Sequence, residues 1–156
     1  MSPVAAVAID ASIWAVWGTV VGRAAARARP PAFTRDGALT RGRPWELALW
    51  ERLGARRLAR RLPDAGGLFG VPKRAFAARG REGLEGLATE TRRAEVVHWT
   101  VLAAAPLMML WSPAVVVAVM FSYAAVANVP CIVVQRYNRA RVARALSRRA
   151  AVVEGR

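Results

Sequence analysis

The sequence predicts an all-α, small polytopic membrane protein: an N-terminal anchor helix, a cytoplasmic amphipathic helix and a C-terminal transmembrane helical hairpin. Three observations carry that prediction. Hydrophobic residues make up 55% of the 156-residue chain and mean hydropathy is +0.23, yet the formal net charge is +14. The apolar and cationic residues are segregated: 17 of the 24 Lys and Arg lie between Arg23 and Arg93, and the other seven from Arg136 onward. Between these blocks, Trp99 to Gln135 contains no charged side chain, a run long enough to cross a bilayer and return. The length fits a single domain, which divides into an anchor helix (3–22), a basic cytoplasmic region (23–93), a membrane hairpin (94–134) and a basic cytoplasmic tail (135–156).

Each element follows from local composition. Pro3 to Gly22 is apolar apart from Asp10 and a few hydroxyls, and twenty helical residues span about 30 Å, the thickness of the hydrocarbon core. No basic stretch precedes it, so it reads as an uncleaved anchor and not as a signal peptide. Its basic flank (Arg23, Arg27, Arg29) follows the helix, which sets the N-terminus outside and the basic loop and C-terminus in the cytoplasm of a multi-pass cell-membrane protein. Asp10 is costly at mid-depth and must lie near the outer interface or face polar partners, and its position favours the interface. Pro30-Pro31 stops the helix.

Trp45 to Leu62 alternates Leu and Trp with five arginines. It reads as one amphipathic helix that lies in the headgroup layer or packs on the membrane helices. Pro63-Asp64-Ala65-Gly66-Gly67 breaks it, and Gly70-Val71-Pro72-Lys73 forms another loop. A further helix starts near Gly83 and brings Leu84, Leu87, Thr91, Ala94, Glu95 and His98 onto one face. Residues 97–111 are short for a crossing. The hairpin turns at Trp111-Ser112-Pro113, and Ala114 to Val134 is a full span. Three crossings leave room for a homodimer.

The basic charge raises a nucleic-acid reading, but its distribution is the one that membrane topology and anionic headgroups require, so the bilayer and not nucleic acid is the expected partner. The single cysteine, Cys131, excludes an internal disulfide framework and multi-cysteine zinc sites, and its apolar neighbours describe an inert thiol. Glu95-x-x-His98 has the spacing found in di-iron bundles, but those need a second copy and further carboxylates. No metal or resident cofactor is expected.

The candidate chemistry lies at the two ends of the uncharged run. Glu95 stands three residues before His98, the only histidine, and a carboxylate at that spacing can orient an imidazole to act as general base. Asn128 is the sole carboxamide within the second arm. Gln135, Arg136, Tyr137, Asn138, Arg139 and Arg141 follow at the membrane surface, a set able to hold phosphate or a developing oxyanion. The competing explanation is a basic flank that only fixes topology or binds lipid, in a non-enzymatic scaffolding protein.

Two stretches carry a resemblance. Glu90-Thr91-x-Arg93-Ala94-Glu95-x-x-His98-Trp99, followed by Asn128-x-Pro130-x-Ile132-x-x-Gln135-Arg136-Tyr137-Asn138-Arg139-x-Arg141, resembles the glycosyl-4,4'-diaponeurosporenoate acyltransferase family. Trp45 to Asp64 and Gly70-x-x-Lys73-Arg74 fit it more loosely. The resemblance implies a membrane acyltransferase of carotenoid biosynthesis that esterifies the sugar of a glycosylated carotenoid or related glycolipid. The acyl donor would be a thioester co-substrate, acyl-CoA or acyl carrier protein. His98 and Glu95 would then be catalytic, and Glu90, Arg93, Asn128, Gln135, Arg136, Tyr137, Asn138 and Arg139 would bind substrates.

Overall fold

The computed structural model describes residues 2–62, 76 and 80–154. Five α-helices dominate it: α1 (Pro3–Arg27), α2 (Glu46–Arg52), α3 (Ala55–Arg61), α4 (Gly80–Ala104) and α5 (Ala114–Glu154), with 3-10 segments at Pro30–Phe33 and Ala105–Leu110. Pro63-Asp64, the rest of the loop after it, and Lys73-Arg74 lie outside the described residues.

Helix α1 begins on a Ser2 cap, whose hydroxyl accepts from the Ala5 N–H at 3.2 Å, with Pro3 in the first turn where a missing N–H costs nothing. It runs five residues past the expected end at Gly22, to Arg27. Val4, Ile9, Ile13, Val16 and Val20 are exposed on its outer side, and the face turned inward is built from small residues. A Cβ on Gly18 would lie 3.9 Å from a Val101 methyl on α4, an ordinary packing contact between the two helices. Ala6, Met108, Val116, Val117 and Met120 form the core at the turn end, with Val7, Ala11 and Trp14 packed against it. Trp14 meets Tyr123 of α5 edge to face at 5.4 Å. These pairings set α1 parallel to α5 and antiparallel to α4.

Asp10 faces polar partners, one of its two expected settings. It is fully buried, and its two carboxylate oxygens accept from Trp111 Nε1 at 2.7 Å and Ser112 Oγ at 2.8 Å. The charge is carried by polar partners in the hairpin turn, not by an open interface. Replacing it with alanine strands the buried Ser112 hydroxyl, at about 1–3 kcal/mol, and frees the indole N–H of the more exposed Trp111. Asp10→Ala is therefore expected to lower the thermal midpoint of the detergent-solubilised chain, and Asp10→Asn, which keeps one acceptor, to fall between. An Asp10→Ala midpoint equal to wild type would show that the tie contributes nothing.

Only α1 and α5, among the described helices, are long and apolar enough to cross a membrane. The three crossings read from the sequence thus reduce to two helices of that kind. The polar first turns of α4 and its early end at Ala104 make it a partner arm of different character. Its last stretch before the turn is 3-10, which rises about 2.0 Å per residue against 1.5 Å in an α-helix and so lengthens a short arm. Helices α4 and α5 make the most extensive packing in the molecule. Pro130 sits inside α5 without interrupting it, and α5 continues through the basic tail to Glu154.

The amphipathic stretch is two helices, not one. Gly54 adopts φ 75°, a left-handed conformation that breaks α2 from α3 and that a side chain would oppose. Of its two expected settings, the pair takes the second: Leu47 and Ala55 pack with Tyr137 of α5, flanked by Trp50, Ala59, Val133 and Ala140. This docks α2–α3 beside the polar half of the hairpin.

Candidate functional site

Helical periodicity assembles the site. On α4, Thr91, Glu95 and His98 repeat at four and three residues, and on α5 Asn128, Gln135 and Arg139 fall seven and four apart, again on one face. The antiparallel hairpin turns these two stripes toward each other, so residues far apart in sequence meet.

His98 Nδ1 lies 2.9 Å from Asn128 Oδ1, the bond that joins the two arms at this level. The amide orientation is fixed on its other side, because Asn128 Nδ2 donates to the Ala124 carbonyl at 2.8 Å. Oδ1 is then the acceptor and Nδ1–H of His98 the donor. In the neutral ring that arrangement leaves the lone pair on Nε2, the form a general base requires.

Glu95, which the sequence nominated as the orienting group, is engaged in a second polar layer one turn earlier on α4. It is fully buried. Its Oε1 accepts from Arg136 Nε at 2.7 Å and Trp99 Nε1 at 3.3 Å, and Oε2 stands 2.6 Å from Arg139 Nη1. Arg136 also reaches Glu46 Oε1 at 3.0 Å and donates to the Leu39 carbonyl, while Arg139 donates to the Thr40 carbonyl at 2.7 Å. Two carboxylates and two guanidiniums balance, and the carbonyls of residues 39 and 40 each accept one further hydrogen bond. Balance of this kind is what permits charges to be buried at all.

The remaining candidates divide. Gln135 is buried between the levels of Asn128 and Arg139, and its Oε1 has no hydrogen-bond partner among the described residues. Arg93 pairs with Glu90 within α4 at 2.6 Å and lies over the Phe33 ring at 5.3 Å, so it holds the end of the first 3-10 turn against α4. Arg92 and Asp36, 2.6 Å apart, fasten the segment after that turn. Tyr137 points the other way, into the apolar cluster with Leu47 and Ala55, and Arg141 lies over its ring at 5.5 Å. Asn138 is half-buried on the flank of α5, about 80° around the helix from Asn128 at 100° per residue.

Glu46 and the segment before it were not read from the sequence as part of any site. The available signal was a lone acid, after Pro44-Trp45, inside an arginine-rich stretch. Beside it opens a cleft of about 400 Å³ lined by Ala38, Arg41, Arg43, Trp45, Glu46 and Arg136.

Residues 35–148 match the family model described as glycosyl-4,4'-diaponeurosporenoate acyltransferase, a range that contains the cleft, both polar layers and the hairpin. A protein of that name from Staphylococcus aureus (strain MRSA252) is 42% identical over 64 residues, 40% of this chain and 38% of the relative. Those of strains USA300 and NCTC 8325 / PS 47 are 41% identical over the same shares. The matched stretch thus covers well under two thirds of these relatives' length. No solved structure matches the chain.

Proposed function

The chain belongs to the glycosyl-4,4'-diaponeurosporenoate acyltransferase family, and from that premise we propose that it transfers a fatty acyl group from a thioester donor to a sugar hydroxyl of a glycosylated carotenoid or closely related glycolipid. The observation that carries the mechanism is the His98–Asn128 hydrogen bond, 2.9 Å long, which joins the two arms of the hairpin. Asn128 holds the ring with its proton on Nδ1. Nε2 takes the proton of the sugar hydroxyl as the oxygen attacks the thioester carbonyl. Collapse of the tetrahedral intermediate forms the ester and expels the thiolate, which recovers the proton from Nε2 as a thiol. The unpartnered, buried carbonyl of Gln135 supports a role in binding the sugar. Glu95, Arg136 and Arg139 act as the scaffold that keeps the two arms in register.

The charge of the basic segments 23–93 and 135–156 supports a cytoplasmic setting for this chemistry, with the N-terminus outside. Donor thioesters are made in that compartment, so donor and base meet on one face.

The full chain in nanodiscs, given a glycosylated C30 carotenoid acid and an acyl thioester, is expected to form a carotenoid glycoside ester detectable by mass spectrometry. Absence of ester with every glycolipid acceptor offered would overturn the proposal. Within the mechanism, Asn128→Leu is expected to lower kcat about 10²-fold with KM nearly unchanged, because it removes the positioning of the base and not a substrate contact. A loss confined to KM would contradict that role.

A further inference from the structure

The cleft beside Glu46 offers a chemistry that the arginine–carboxylate layer does not. Arg136 and Arg139 are neutralised by Glu46 and Glu95, and Arg93 by Glu90. Arg41 and Arg43, at the mouth of the cleft, are exposed, and neither is in an ion pair among the described residues. The Arg43 guanidinium lies over the Trp45 ring at 5.9 Å, and that indole is 54% exposed. The cleft therefore combines two uncompensated guanidinium forks with an accessible aromatic face. Guanidinium forks match phosphate oxygens, and an indole face stacks on a planar base. A volume of about 400 Å³ lies within the range of small-molecule sites.

Arg136 belongs both to the wall of this cleft and to the layer below it. Asn128 lies eight residues earlier on the same helix, about 12 Å along its axis. A ligand anchored by its phosphates in the cleft thus has its far end within reach of His98 through a flexible arm of that length.

Resting on the acyl-transfer reading, we infer that this cleft holds the phosphorylated adenosine of a coenzyme A thioester, and hence that the donor is a nucleotide thioester and not a carrier protein. The shared chemistry is a phosphate beside an aromatic face, and an anionic lipid headgroup is the other source of phosphate at this surface.

The test measures equilibrium binding of coenzyme A and of adenosine 3',5'-bisphosphate to the full chain in phosphatidylcholine nanodiscs. Saturable binding of both is expected. Arg41→Ala with Arg43→Ala should weaken it at least tenfold, and Trp45→Ala should weaken it while Trp45→Phe retains it. Arg56→Ala with Arg57→Ala, an exposed pair on α3 outside the cleft, should leave it unchanged and so controls for net charge. No binding to wild type, or equal weakening by both arginine pairs, overturns the inference. Loss of coenzyme A binding when a small fraction of phosphatidylglycerol is added assigns the cleft to lipid headgroups and also overturns it. The two readings fail separately. Ester formed from a carrier-protein thioester without coenzyme A binding removes only this inference, and coenzyme A binding without any ester removes only the acyl-transfer proposal.

Discussion

Replacing His98 with alanine will lower ester formation by about 10²–10⁴-fold, the usual contribution of a positioned general base. The substitution removes the proposed base and leaves the Glu95–Arg136 and Glu95–Arg139 ties between the two arms in place. The loss should therefore appear in kcat, with the acceptor KM and the amount of folded protein in the membrane close to wild type. His98→Gln is the stricter comparison, since it returns a hydrogen-bonding group to the same place without a basic nitrogen. It should be as inactive as alanine. Full activity in either variant would eliminate His98 as the base.

A different failure is expected at Glu95. Its carboxylate is fully buried between Arg136 and Arg139. Removing one partner of a buried ion pair leaves charge without compensation and costs about 3–5 kcal/mol. Glu95→Ala should therefore reduce the yield and thermal midpoint of the whole chain, where His98→Ala does not. Glu95→Gln should recover part of the loss, because the amide carbonyl still accepts one hydrogen bond while the charge is gone. A double variant, Glu95→Ala with Arg139→Met, should be more stable than Glu95→Ala alone, since it removes the stranded cation together with the anion while Arg136 keeps its pair with Glu46. Normal stability of Glu95→Ala, with lost activity alone, would instead return Glu95 to the chemistry.

The membrane character was legible because it depends on blocks of composition. Apolar α1 and α5 and the cationic flank of each survive any error in helix boundaries. The meeting of α4 and α5 was legible for a similar reason: a long uncharged run with one turn signal has to fold back. What the sequence could not reveal is which partner a polar side chain selects. Glu95 and His98 share a face at i and i+3, so spacing alone pairs them, but the guanidiniums of Arg136 and Arg139 compete more strongly for a buried carboxylate than an imidazole does. Asn128 then becomes the partner of His98, a contact thirty residues apart in sequence with no local signature. Tyr137 sits next to Arg136 in sequence but on the far side of α5, where α2 and α3 dock. That docking surface was itself hidden, because an Arg-rich amphipathic helix reads equally well as lying on lipid or on protein. Gly54 carried the break between α2 and α3, and a single glycine in a long amphipathic pattern is a weak signal until its backbone angle is known.

The depth of the His98–Asn128 pair on the hairpin has a kinetic meaning for an acyltransferase. On the proposed mechanism the base would lie inward of the arginine layer, toward the apolar length of α5, and an acceptor would reach it by lateral diffusion within the lipid leaflet and not from bulk water. Turnover is then governed by a two-dimensional quantity, the mole fraction of acceptor among the surrounding lipids. Diluting the acceptor with inert lipid would slow the reaction even at constant total amount, while diluting the suspension with buffer would not. On the same mechanism that depth would keep competing water scarce around the acyl thioester, so that a sugar hydroxyl, far less abundant than water in the cell, could still be the nucleophile that wins.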